Sequence, residues 1–412
     1  MPMAVDGSQG SANRARVEDA VAWIDALAAP LGREDVSVED AAGRVLCEDV
    51  LAAADVPPFD RAAVDGIAVR ADETVGASTY NPLTFRLAAA ADVAADLPAG
   101  AAMRLGAGDR LPRGTDAVVP LDQVGPDEGG ACAIVEPVAA GNEVERAGSQ
   151  GARGTTLLSV GRRLQPGDIG LLASAARTRV GVVRRPRVHC VLSGEARDAG
   201  TTLPPGAVCD ANAPMLRALI ERDGGVAVQH RVERRLETLR SALDSPADIV
   251  LFIGGAGGVS NDLAAAVLAE AGTLAIDGVA LRPGAATGIG RTAACVPVLL
   301  LPGTPVACLW AYEFFAGRAI RRLGGRSPAW PFASRTATAT RKIVSEIGMA
   351  EVVPVRQVNG DGAEPLPSFA AAGLRAVTEA DGFVVVPEGS EGYQRGTTVN
   401  VYLYDEQARA QS

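Results

Sequence analysis

Two hydrophobic rhythms divide the chain. Between residues 186 and 323, short apolar runs alternate with segments of helical spacing; elsewhere, short β-branched segments are broken by Gly and Pro. Ile249–Ile253 is an unbroken apolar run, the pattern of a strand buried on both faces. It stops at Gly254-Gly255. After Gly257 and Gly258, a helix is predicted over 262–271. On either side the pattern predicts strands at 188–192, 227–232, 279–281 and 297–301, and helices at 213–223, 236–243 and 306–323. Such alternation implies a parallel sheet with ligands at the carboxyl ends of its strands. The turns beginning at Ser193, Gly254 and Pro302 all fall at that edge.

Outside this region the elements are shorter. Residues 17–31 carry apolar positions at helical spacing, and a second short helix is predicted over 38–46 with Ser37 as its N-cap. From Pro82 to Pro137 the runs 83–87, 117–121 and 131–135 are the signature of a small all-β module. A short helix with a proline start is predicted at 166–175. After Ser327-Pro328, segments 337–345, 351–357, 382–386 and 398–403, with a polar hairpin region at 389–396, predict a terminal β-barrel or sandwich.

Length adds that two to four domains are needed for 412 residues. Aromatic residues are scarce at 4%, so packing relies on small side chains. The formal charge of −10 argues against non-specific nucleic-acid binding, which draws on basic patches. An anionic small molecule stays compatible, because clustered N–H groups and arginines outweigh a diffuse charge. The six cysteines are scattered, and with only His189 and His230 alongside there is no zinc or iron–sulfur spacing. No run suits a signal peptide or reaches ~18 apolar residues, so a soluble cytoplasmic protein without a membrane segment is expected.

Two places carry candidate chemistry. A buried strand, a glycine turn and a helix start put backbone N–H groups and a positive helix end at one spot. Asp248 before the strand and Asp262 after the turn bracket it, which suits a phosphate-bearing ligand beside a metal ion. The competing reading makes Asp262 a helix cap. Around residues 54–74, Asp60 and Asp65 flank a Pro-rich turn, either a ligand corner or a surface turn in which Asp60 satisfies backbone N–H groups.

The order of short motifs resembles molybdopterin molybdenumtransferase, the bacterial counterpart of the gephyrin E domain. The boxes are Pro57-Pro-Phe-Asp with Asp65-Gly66, Leu111-Pro-Arg-Gly-Thr-Asp-Ala-Val-Val, Asp168-Ile-Gly-Leu-Leu-Ala-Ser, Asp210-Ala-Asn212, Gly254-Gly255 with Asp262, and Leu301-Pro-Gly-Thr-Pro-Val. They extend over nearly the whole chain. The resemblance implies a multi-domain α/β plus β fold in an elongated, dimerising subunit. Residues 1–55 with 140–180 would form an N-terminal helical domain, 56–139 an inserted β module, 181–326 a parallel-sheet molybdopterin-binding α/β domain, and 327–412 a C-terminal β-barrel. It further implies that molybdate is inserted into adenylylated molybdopterin with AMP release, assisted by magnesium. Carried over by motif, Asp65, Asp248 and Asp262 would be catalytic, and Asp65 and Asp262 would hold the metal. Ser193, Gly194, Glu195, Asp210, Asn212, Gly254, Gly255, Arg282, Pro302, Thr304 and Pro305 would hold the cofactor. A homodimer is implied, in which Asp65 reaches the ligand of the other subunit, with a molybdoenzyme or cofactor-pathway partner downstream.

The departures concentrate in the sites. Arg61, Ala62, Val64 and Ile67 replace the family's Asn, Ser, Met and Tyr. Ala107, Gln150, Ala196, Gly257, Val259 and Ala285 stand where a threonine, two acids, a serine, a glycine and a lysine belong; Thr304 replaces an asparagine, and Ala370–Ala372 a Gly-Ser-Gly. Losing a single oxyanion donor costs ~10²–10³ in rate. Two readings therefore follow: a divergent transferase, or a non-catalytic molybdopterin-binding carrier, insertion chaperone or scaffold. A nucleotide hydrolase on the same α/β scaffold is a weaker third, since the flanking boxes match the family.

Overall fold

The computed structural model describes residues 14–88, 96–125, 129–193, 208–233, 235–254, 260–358 and 360–405. The chain forms two compact units, one of residues 33–182 and one of the chain up to Gly32 together with everything from Val183.

Helix α1 (Val17–Leu27) belongs to the second unit and buries Ala20 and Ile24, four residues apart on one face. It ends before the predicted residue 31, because Ala28 turns extended and Pro30 bars a helical Ala29.

In the 33–182 unit, the inserted module is a five-stranded sheet. Its strands are β1 (Gly66–Val69), β2 (Leu83–Leu87), β3 (Ala101–Leu105), β4 (Ala117–Pro120) and β5 (Ala131–Ile134), in the order β4-β1-β3-β2-β5. Alternate residues of β1 feed opposite faces. Ile67 and Val69 join Phe85, Val119 and Ile134, whereas Ala68 joins Met103, Leu105 and Val118. Helix α2 (Pro166–Ser174) has Pro at N1 and a capping box between Gln165 and Asp168. Arg162 also donates to Asp168, and that hydrogen bond holds the carboxyl below its usual range.

The helix predicted at 38–46 does not form. Ser37 Oγ does accept from Asp40 N–H at 3.1 Å, as an N-cap would. Gly43, however, lies at φ +74° and sends its N–H to Leu164 O at 2.8 Å, so the chain runs through tight turns instead. Among the described residues of the 33–182 unit outside the inserted module, short strands and turns surround α2.

The second unit holds a six-stranded sheet. In chain order its elements are β6 (Arg187–Ser193), α3 (Asn212–Arg222), β7 (Val226–Val232), α4 (Leu236–Leu243), β8 (Ile249–Ile253), α5 (Ser260–Ala271), β9 (Gly272–Asp277), β10 (Gly288–Thr292) and β11 (Pro297–Leu301). A continuous helical stretch follows: α6 (Pro305–Ala311), a π-helical turn over Tyr312–Ala316, and α7 (Gly317–Leu323). The order is β7-β6-β8-β11-β10-β9, with the first four strands parallel, β10 antiparallel to β11, and β9 antiparallel to β10. Every residue of β8 is buried. Ile249, Leu251 and Ile253 face Leu216, Ile220 and Trp310, whereas Val250 and Phe252 face Leu239, Val267 and Leu268. Burying each such side chain contributes roughly 1.5–3 kcal/mol, which is why this apolar run reads as a central strand.

A buried charge cluster braces the long helix. Arg222 grips Glu313 with two bonds of 2.7 and 2.9 Å, Arg321 pairs with Asp223 at 3.0 Å, and the Tyr312 hydroxyl donates to Asp223 at 3.0 Å. Burial pushes the Glu313 carboxyl upward.

The C-terminal strands β12 (Ala333–Ala339), β13 (Ala350–Val358), β14 (Gly362–Pro365), β15 (Gly382–Val386) and β16 (Thr398–Leu403) close into a barrel, since β13 pairs with both β14 and β15. Leu281–Arg282 adds a short parallel strand to β13 at Ala350 and Glu351. The scarce aromatic residues gather between sheet and barrel, with Trp310 against Phe383 at 4.6 Å and Trp330 against Tyr402 at 4.9 Å.

Candidate ligand site

The order β7-β6-β8 reverses the direction of the winding at β6, so a crevice opens between the carboxyl ends of β6 and β8. Four predicted residues meet there. The Ser193 hydroxyl donates to Ile253 O at 3.1 Å, and Gly254 N–H donates to Leu301 O at 3.3 Å. Asn212 donates from Nδ2 to Gly303 O at 2.8 Å, which links the start of α3 to the Pro302–Pro305 turn. Its Oδ1 is buried with no partner among the described residues. Asp210 is otherwise occupied: it accepts from the N–H groups of Asn212 and Ala213 at 2.8 and 3.2 Å and from Arg231 at 2.7 Å. These bonds satisfy the first orphan donors of α3. Gly194, Glu195 and Gly255 lie outside the described residues, and so does the side chain of Asp262, whose backbone is in the first turn of α5.

From the Pro302–Pro305 turn the site continues into a cavity of about 1190 Å³ between the α/β layer and the barrel. Arg282, Pro283 and the helix start Thr304–Ala307 line one side; Arg341, Lys342, Glu351, Ser368 and Ala370 line the other. Thr304 sits at the N-cap of α6 with an exposed side chain that makes no capping bond, so first-turn N–H groups border the cavity. Arg282 bonds Glu346 and lies 3.8 Å from Glu351, which offsets its charge within the lining. The sequence reading missed Arg341, Lys342 and Glu351. One signal was available for Lys342, the rarity of lysine in this chain.

Asp248 belongs elsewhere. It precedes β8, at the opposite end from Gly254, about 20 Å away over six residue steps of extended chain. Arg184 holds both its oxygens at 2.6 and 2.8 Å, and Arg187 N–H adds a third bond at 2.8 Å. The expected bracketing of the turn by two carboxylates is thus corrected. The strand between the two places them at opposite edges of the sheet.

In the 33–182 unit, Asp65 lies in the exposed bend before β1 and accepts from Ala107 N–H at 2.7 Å. Asp109 accepts from Gly106 N–H at 2.8 Å. The two carboxylates flank Gly106, where an added Cβ would lie 3.4 Å from Asp109 and 3.7 Å from Asp65. Asp60 takes the surface-turn role. Ala147 N–H and Arg146 donate to it at 2.7 Å each, and those bonds, the backbone one first, hold its carboxyl below the usual range.

Residues 15–176 match the MoeA N-terminal region (domain I and II), 198–322 a probable molybdopterin binding domain, and 336–404 the MoeA C-terminal region (domain IV). Molybdopterin molybdenumtransferase 2 of Mycobacterium tuberculosis is 31% identical over 397 residues, covering 89% of this chain and 94% of that protein. The chain belongs to the molybdopterin molybdenumtransferase family. The transferase of Staphylococcus aureus is 28% identical over 90% of this chain and 91% of its own length. Among solved structures, a molybdopterin biosynthesis MoeA protein from Pyrococcus horikoshii superposes with a TM-score of 0.76 at 30% identity, over 95% of this chain and all of that one. The transferase family thus accounts for the parallel sheet and the closed barrel together. No helix of the described residues is long and apolar enough to cross a membrane.

Proposed function

We propose that this protein inserts molybdate into adenylylated molybdopterin, releasing AMP. The observation that carries the reading is the convergence of Ser193, Asn212, Gly254 and Gly303 at the switch point of the sheet. The pterin, rich in N–H donors, would pair with the buried Asn212 Oδ1, an acceptor that is costly to leave unmatched. The first turn of α5 would take the phosphates. The dithiolene end would extend along the Pro302–Pro305 turn into the cavity. Cleaving the phosphoanhydride requires donors placed where negative charge builds up.

Magnesium fits the donor set in its ordinary manner. Among the described residues no three metal-ligating side chains gather at one point. Asp65 and Asp109 do offer a carboxylate pair, and magnesium is commonly held by one or two carboxylates with water and ligand phosphates. When bound, the ion would neutralise phosphate charge. Asp262 remains in the proposal as a second carboxylate at the start of α5. We also propose a cytoplasmic homodimer, with Asp65 serving the ligand of the other subunit, and transfer of the product to a molybdoenzyme or cofactor-pathway partner.

One observation favours a second reading, non-catalytic molybdopterin binding as a carrier, insertion chaperone or scaffold. Much of the cavity wall is apolar, with Pro283, Ala307, Val352 and Ala370 among its residues. A single turnover with adenylylated molybdopterin, molybdate and magnesium decides between the two. AMP release supports insertion, and tight binding without AMP supports the carrier. No binding of molybdopterin or its adenylate by calorimetry would overturn both. If AMP appears, Asp65→Asn and Asp262→Asn should slow it, and unchanged rates would remove those two from the site.

A further inference from the structure

The sequence contains a single lysine. Of its 39 Lys and Arg residues the other 38 (39 − 1) are arginine. That one lysine, Lys342, lines the cavity beside Arg341. The two cations differ in use. Arginine presents a planar fork suited to paired carboxylates, while an ammonium is a compact charge with three donors that can turn toward a small tetrahedral anion. The neighbouring arginines already face acids: Arg282 bonds Glu346, and Arg341 lies 3.8 Å from Glu364. Among the described residues no carboxylate pairs with Lys342.

Its position is fixed from both sides. Thr340 N–H donates to Ala363 O at 3.0 Å, and Ile343, 1% exposed, packs into the barrel core and pairs with Tyr393. The ammonium therefore stands on an anchored turn rather than a loose loop. The first turn of α6 borders the same cavity with its positive end.

We propose that Lys342 is the anion-anchoring residue of this cavity and seats a doubly charged tetrahedral oxyanion, drawn either from free molybdate or from the phosphate of an adenylate. This rests on the insertion reading above, and it assigns the anion to the barrel side of the site. Because lysine occurs once, the test can be read at one atom. Reductive methylation with ¹³C-formaldehyde labels Lys342 and the chain's amino terminus alone, and Lys342→Arg identifies which resonance is which. Titration with molybdate should move the Lys342 signal to saturation if the free oxyanion is the ligand; titration with AMP should do so if the phosphate is. Either movement supports the proposal and names the source, and no movement with either overturns it. In calorimetry on the unlabelled full chain, Lys342→Ala should bind the active anion roughly ten- to a hundredfold more weakly, as expected for losing one charge-assisted contact. Lys342→Arg should lose less, since it keeps the charge. Unchanged affinity in Lys342→Ala would overturn the assignment. Molybdopterin binding measured on the same samples keeps the two readings apart: if it persists while Lys342 is silent, only this assignment falls.

Discussion

Asn212 donates through Nδ2 to the carbonyl oxygen of Gly303 at 2.8 Å, so the first residue of α3 holds the turn that follows β11. Replacing it by Asp sets a carboxylate against a carbonyl and leaves Gly303 without its donor. Asn212→Asp should bind adenylylated molybdopterin roughly ten- to a hundredfold more weakly by calorimetry. Equal affinity would mean that the turn is held by other contacts.

Glu313 is 2% exposed and shares Arg222 with Asp223 inside the long helix's charge cluster. Glu313→Ala leaves a partly buried guanidinium without its main counter-charge, a change that typically costs about 3–5 kcal/mol. Urea unfolding should show a loss of that order. A loss below about 1 kcal/mol would show that water replaces the carboxylate at no great cost.

Asp248 and Asp262 should separate cleanly under mutation. Asp248→Asn weakens the grip of Arg184 at the amino edge of the sheet, so it should lower stability by about 1–2 kcal/mol and leave AMP release unchanged. Asp262→Asn should do the reverse. Slowed AMP release in a folded Asp248→Asn protein would return Asp248 to the site.

His189 provides a pH signature. Burial, and then its neighbour His230 with ring centroids 4.9 Å away, lowers its pKa. The unfolded chain therefore takes up a proton more readily than the folded one below the ordinary histidine value of about 6.5. Stability should be full above that value and fall as pH drops through the folded pKa. In His189→Gln the slope between pH 7 and 5 should flatten, as measured by urea midpoints; an unchanged slope would shift the effect to carboxylates.

Buried strands were legible because both of their faces are apolar: Ile249–Ile253 and Pro297–Leu301 needed no further context. The antiparallel strands β9 and β10 were not. Their glycines exist for close backbone approach, since a Cβ on Gly290 would lie 2.1 Å from Thr273 O and one on Gly272 2.3 Å from Arg291 O. In β10 the glycines at 288 and 290 leave no side-chain alternation to read. At 38–46 the capping residue was legible, but it serves a turn. The motif positions Asn212, Gly254 and Pro302–Pro305 fall together at the carboxyl edge of the sheet, whereas Asp248 lies at the other end of β8, a separation that proximity in sequence conceals. Lys342 escaped notice because its signal is a rarity spread over the whole chain rather than a local pattern.

The strand Leu281–Arg282 also bears on how the protein may be divided. It leaves the α/β layer between β9 and β10 and pairs with Ala350 and Glu351 of the barrel. A truncation after residue 326, natural from the sequence, would take the barrel from its last neighbouring strand and uncover Trp310 and its aromatic contacts. The barrel is thus a graft that has kept a root in its host, and the working unit for expression is the whole of it from Val183 onward together with α1.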